Sequence, residues 1–148
     1  MSAAKNRLRL CNCLIICLLV FIWGNSLLPA EISQALSDWV KGLLSTGSGG
    51  SGSGSGLLRK IAHFTEFAAL GVLLSWRSGM LRKQKHIPFL WGAAAACVDE
   101  GIQLLTPGRT SQLSDVLLDC CGVAAGLLLL NMGYSIIKSF ANNLEDKQ

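Results

Sequence analysis

The stretch SDVLLDCCGVAAGLLLLNMGYSII, Ser114 to Ile137, decides what kind of protein this is. It holds no charge after Asp119 and exceeds the roughly 20 apolar residues that cross a bilayer. With its flanks the run reaches from about Ser111 to Phe140. Asp115 and Asp119 stand in its first turns and continue into Gly122 and Gly126 at helical spacing, so acids and small residues share one stripe. Glycines four apart let another helix backbone approach closely. The segment reads as a membrane span whose acidic end is aimed at a neighbouring helix.

Three more apolar runs lie upstream. The first extends from Leu8 or Leu10 to Leu28, behind Lys5, Arg7 and Arg9, and Pro29 ends it. It is too long for a secretory signal and lacks a small-residue cleavage site, so it reads as a retained anchor. The others span Leu57 to Trp76 and Pro88 to Leu105. The chain of 148 residues is 51% hydrophobic and 15% charged, against about 25% charged in a soluble domain. The expected fold is all-α: four transmembrane helices plus a short amphipathic interfacial helix after the first span. That short helix covers Glu31 to Leu44, with Ile32, Leu36, Trp39 and Val40 opposite Ser33, Gln34, Ser37 and Asp38. A loop helix packed on the bundle fits the same pattern.

Residues 47–56 read GSGGSGSGSG, a flexible spacer without folding information and an artificial linker in place of a native loop. The expected organisation is 1–46 for the first span and amphipathic segment, 47–56 for the linker, 57–141 for the remaining three spans and 142–148 for a polar tail. The net charge of +4 is modest. Lys5, Arg7 and Arg9, then Arg77, Arg82, Lys83 and Lys85, then Lys138 and Lys147 fall on one side of a four-span chain. Basic loops mark the cytoplasm, which predicts a multi-pass cell-membrane protein with both termini inside. No continuous basic face with aromatic partners points to nucleic acid. Cys11, Cys13, Cys17, Cys97, Cys120 and Cys121 read as buried small hydrophobes without zinc spacing. Trp23, Trp39, Trp76 and Trp91 read as interfacial anchors. Asn131 is expected to bond a neighbouring helix.

That topology brings three polar segments to the outer side at one depth. Lys60, His63 and Glu66 follow Arg59 on one flank of the second span. Asp99, Glu100 and Gln103 close the third, Arg109 lies in the turn, and Asp115 and Asp119 open the fourth. Asn25 and Ser26 either face this cluster or cap the first span. Charges inside a membrane are costly and belong at a bundle interior with partners. A salt-bridge network is one reading, with Arg109 clamping an aspartate bidentately. The other is a site. Ligand binding then falls on Lys60, His63, Glu66, Asp99, Glu100, Gln103, Arg109, Asp115 and Asp119. In a catalytic version His63 or Glu66 is the general base, Asp99 orients it and Arg109 stabilises an anion. No metal or other cofactor is expected, because the basic groups can neutralise the acids. A divalent cation on Glu66, Asp99, Glu100, Asp115 or Asp119 is the minor alternative.

KIAHFTEFAALG (Lys60 to Gly71), VDEGIQLLTPGRT (Val98 to Thr110) and SDVLLDCCGVAAG (Ser114 to Gly126) resemble the signature of the VanZ-like family. WGNSLLPAEIS (Trp23 to Ser33) resembles the end of that family's first span. The resemblance implies a small four-helix membrane protein of Gram-positive bacteria, linked to reduced teicoplanin susceptibility. It carries the family's polar motif onto the nine ligand-binding residues named above. The partners it implies are membrane lipids and a lipid-linked cell-wall precursor or lipoglycopeptide bound in an outer-leaflet polar pocket. The alternative is a membrane-embedded hydrolase or transferase acting on a lipid or cell-wall precursor. A through-going transport path is disfavoured, since Ala93 to Cys97 and Leu127 to Leu130 are apolar.

Overall fold

Small residues decide which helices touch. The computed structural model describes residues 2–44, 54–81, 84, 86–109 and 112–145, which form five α-helices and no strand. They are α1 (Ser2–Ser26), α2 (Ala30–Leu44), α3 (Gly54–Met80), α4 (Ile87–Leu105) and α5 (Leu113–Glu145). The breaks follow local chemistry. Pro29 separates α1 from α2. Pro88 sits in the first turn of α4, where its missing N–H costs nothing. Thr106 leaves the helical region at φ −92° and ψ 126°, and Gly108 takes a left-handed φ of +75° that favours glycine.

The closest packing joins α3 and α5. A Cβ on Gly122 would lie 2.6 Å from the Phe64 carbonyl oxygen, and one on Gly126 would run into the Ala68 carbonyl. Gly71 on α3 is equally blocked by the backbone of Val123. Lys60 meets Asp115, Phe64 meets Gly122 and Ala68 meets Gly126, so the two helices run parallel. α1 is antiparallel to α3: Asn25 bonds Glu66 at one end, and Arg77 bonds Asn12 at 2.7 Å at the other. α4 runs with α1, because Trp23 reaches the Ala95 carbonyl while Ser26 meets Gln103. The four long helices therefore alternate in direction along the chain, and α3 touches each of the others as well as α2.

The buried core comprises Cys11, Ile15, Ile22, Phe67, Leu70, Ala95, Ala96 and Val123. On α4 one buried stripe runs through Pro88, Gly92, Ala95, Ala96, Asp99, Glu100 and Gln103. The face stays the same while its chemistry changes from apolar to polar. Outside, large apolar side chains are left uncovered along the helices, among them Val20, Trp91, Leu129 and Ile137. Among the described residues two helices, Ala3–Ser26 and Leu113–Leu144, are long and apolar enough to cross a membrane.

Several expectations need correction. The last three residues of the Gly/Ser stretch already belong to α3, and α5 continues to Glu145 through the start of the expected tail. Residues 47–53 of the linker, together with Arg82, Lys83, Lys85, Ser111 and Lys147, lie outside the described residues. Of the six thiols only Cys11 is buried, while Cys13, Cys17, Cys97 and Cys121 are exposed, because they sit off the core stripes of their helices. Asn131 bonds the Leu127 carbonyl one turn back at 2.8 Å, on an exposed face with no helix to reach. Trp23 and Trp76 pack against the core instead of standing free as anchors.

Two alanine substitutions test the packing with opposite signs. Alanine is favoured over glycine in a helix by about 1 kcal/mol. Gly133→Ala, where nothing lies within 4 Å of the new Cβ, should leave stability unchanged or raised by up to that amount. Gly126→Ala should lower it by about 1–3 kcal/mol despite the same propensity gain, because its Cβ meets backbone. Unfolding of the purified protein in detergent measures both.

Candidate functional site

All nine sequence-selected residues arrive at one end of the bundle, at the C-termini of α1 and α4 and the N-termini of α3 and α5. They do not form one undivided site. Lys60 and Asp115 pair at 3.3 Å on the rim, with the lysine side chain about half exposed. Glu100 is buried, and its Oε1 accepts the Gln112 backbone N–H at 2.6 Å, which fixes the start of α5. Glu66 accepts a bond from the Asn25 amide at 3.4 Å. Deeper in, His63, Asp99 and Asp119 bring one donor atom each to within 4.8 Å of one another. Asp99 is fully buried, and its Oδ2 accepts a 2.8 Å bond from Gln103 while lying 3.7 Å from His63 Nδ1.

Arg109 does something other than clamp an aspartate. Its Nε donates to the Leu28 carbonyl at 3.1 Å and its Nη2 to the Asn25 carbonyl at 3.0 Å. The guanidinium thus binds carbonyls at and just beyond the C-terminus of α1, where positive charge is favourable, sharing the Asn25 carbonyl with the Leu28 N–H. Burial, with Arg59 nearby, pushes the Arg109 pKa below its ordinary value, yet a guanidinium stays charged. The salt-bridge network is therefore incomplete among the described residues. One oxygen each of Glu66, Asp99, Glu100 and Asp119, with His63 Nδ1 and Arg109 Nη1, is buried without a partner.

Beside this cluster a groove of about 220 Å³ opens between the end of α1, α2 and α3. Leu28, Leu36, Val40 and Leu58 form apolar walls, and Arg59, His63, Glu66 and Arg109 supply its charged groups. α2 turns Ser33 and Ser37 toward it and leaves Ile32 and Trp39 exposed. His63 thus lines the groove on one side and faces Asp99 on the other.

Some participants went beyond the sequence-selected set. Ser26 is fully buried, meets Gln103 at 3.4 Å, and its carbonyl accepts Thr106 Oγ1 at 3.0 Å. Its signal was present: Cys11, Ile15, Ile22 and Ser26 form one stripe of α1. Thr106 had none, because a threonine before Pro107 reads as turn chemistry. Asn25 does face the cluster, and Arg59 borders the groove.

Replacing Arg109 tests its structural part. Arg109→Met should lower unfolding free energy by about 2–3 kcal/mol, since two charge-assisted bonds to half-buried carbonyls are lost. Arg109→Lys should recover only part of that, because an ammonium lacks the planar fork. The check is denaturation in detergent.

Comparison with curated proteins and with solved structures returns no match. A family model does match, the one described as VanZ/LLP1, over residues 12–137. That span runs from the middle of α1 through most of α5 and takes in every polar group of the cluster, and the chain belongs to the VanZ/LLP1 family.

Proposed function

We propose that this is a four-pass membrane protein with both termini cytoplasmic, whose outward groove binds the anionic headgroup of a lipid-linked envelope component. The alternation of the four long helices supports the topology, together with Lys5, Arg7, Arg9 and Arg77 at the end away from the cluster. The polar residues of α3 and α4 dilute their hydropathy, and the bundle interior takes those residues in. The exposed apolar side of α2, with Ile32 and Trp39, suits a helix lying in the outer interface. Residues 1–46 and 57–141 then form one membrane unit joined by the Gly/Ser linker.

One observation carries the ligand class: the groove combines apolar walls with Arg59, His63 and Arg109. That is the lining an amphiphile with a phosphate or pyrophosphate needs. A volume of about 220 Å³ admits a headgroup and the first part of a chain. It is far too small for a glycopeptide, so a lipid-linked precursor fits better than the antibiotic itself. Occupying such precursors is the proposed route to lowered teicoplanin susceptibility, as membership of the family suggests.

A second reading has one specific support. His63 borders the groove, and its other face meets Asp99, which Gln103 holds. A base with an orienting carboxylate is the arrangement of a hydrolase or transferase. In that version His63 takes a proton from the attacking group and Arg109 steadies an anion.

Binding of a polyisoprenyl phosphate, followed by native mass spectrometry, tests the first reading. Affinity should fall at least tenfold in Arg59→Gln and stay unchanged in Arg9→Gln at the far end, and phosphatidylcholine should bind weakly to all. Equal affinity across these proteins and lipids would sink it. Lipid extracts from cells with and without the protein separate the readings, since only an enzyme converts one lipid species into another.

A further inference from the structure

Three helices deliver unpaired polar atoms to one buried spot. Asp99 on α4 is 0% exposed and Asp119 on α5 is 2% exposed, and His63 on α3 stands between them. Asp119 makes no side-chain hydrogen bond or ion pair among the described residues, and one of its oxygens is sealed from solvent. One Asp99 oxygen and His63 Nδ1 are also buried without a hydrogen-bond partner, the nitrogen lying 3.7 Å from the other Asp99 oxygen. Two of the nearby basic groups are engaged elsewhere, Lys60 with Asp115 and Arg109 with the carbonyls of Asn25 and Leu28, while Arg59 borders both the groove and the small void beside Asp119. Glu66, Glu100 and Asp115 add further negative potential at Asp119. Burying two carboxylates side by side is costly unless a cation offsets their charge.

We propose that His63, Asp99 and Asp119 form a binding site for one divalent transition-metal cation, zinc or manganese. An imidazole nitrogen favours zinc among the common ions, and carboxylate oxygens suit manganese as well. Neutral histidine with two carboxylates balances a doubly charged ion. Donors at about 2.1 Å from a tetrahedral zinc stand about 3.4 Å apart, so the cluster closes on an ion with side-chain shifts of about 1 Å. Gln103 holds one Asp99 oxygen at 2.8 Å and leaves the other for the ion, the kind of outer support that orients metal ligands. A void of about 10 Å³ is bordered by His63, Gln103 and Asp119, with Arg59, Lys60 and Asp115 on its outer side. That is room for about one water or ion and excludes an organic ligand. Three protein donors leave a coordination position open.

The site stands apart from the lipid reading, since the groove lies on the other side of His63 and lipid binding can be measured on chelated protein. The experiment strips the detergent-purified full chain with chelator and titrates zinc and manganese, with calcium as comparison. One equivalent of zinc or manganese per chain is expected by elemental analysis after desalting. Affinity should drop more than tenfold in His63→Gln, Asp99→Asn and Asp119→Asn, and less in Gln103→Leu. Manganese also controls for the cysteines, which do not hold it. Electron spin-echo measurements on the wild-type manganese form should show coordinated imidazole nitrogen, a readout that needs no variant to fold. No stoichiometric ion in folded wild-type protein, unchanged affinity in all three ligand variants, or a manganese signal without nitrogen would each overturn the proposal.

Discussion

The backbone-to-backbone contact of α3 with α5 is the constraint on which the rest depends. Gly71, Gly122 and Gly126 remove the side chains that would hold the helices apart, and Phe64, Ala68 and Val123 fill the space at van der Waals range. Contact this close has one register. In it Lys60 stands level with Asp115, and His63 level with Asp119 one turn deeper. A slip by one helical turn would leave Asp119 against Phe67 and bury the acid in the apolar layer. Packing thus sets which polar groups meet, and the polar groups in turn penalise every other register.

Burial and unmet hydrogen bonding pull against each other in the cluster. Some groups serve structure: Glu100 caps α5 through Gln112, Thr106 and Gln103 tie α4 to Ser26, and Arg109 closes the end of α1. Glu66, Glu100 and Arg109 each keep one unpartnered atom as well, but His63, Asp99 and Asp119 bring theirs to a single spot. A network evolved only for stability would pair them, since an unpaired buried polar atom costs about 1–3 kcal/mol. Stability alone does not account for them.

Much of this was legible in the sequence, and the reasons are specific. The stripe through Asp115, Asp119, Gly122 and Gly126 predicts a helix flank, and the structure places that flank against α3. The polar end of α4 was equally readable, because Asp99, Glu100 and Gln103 extend the buried spacing of Gly92, Ala95 and Ala96. Periodicity does not say which partner a charge takes. Lysine and arginine near carboxylates read as a mutual clamp, yet Arg109 goes to backbone carbonyls, whose availability depends on where α1 ends. Nor does it tell a core cysteine from one on an outer face when both sides of a helix are apolar. Cys11 and Cys13 differ in burial and not in sequence context. A polar pocket at this end was expected, but its apolar walls were not, because they exist only where α2 packs beside the start of α3.

The buried charged groups of the bundle are gathered at one end, and this bears on what the site can do. Below the level of His63 and Asp119 the buried apolar residues are Phe67, Leu70, Ala95, Ala96 and Val123, with Cys11, Ile15 and Ile22 from α1, and polar groups return near Ser78 and Arg77. The layer is closely packed, since Gly92 has Val123 against it and Gly71 has the Val123 backbone. An ion or polar headgroup entering from the cluster end would meet several turns of hydrocarbon without a polar foothold. Passage would require desolvation that nothing in that layer offsets. The same layer is useful to a binding site, because it gives the polar end a rigid, dry floor and strengthens electrostatic interactions above it. His63 is placed where that floor, the groove and the buried acids come together. Chemistry or recognition at one end of the bundle, with the far half as its support, is what this distribution allows.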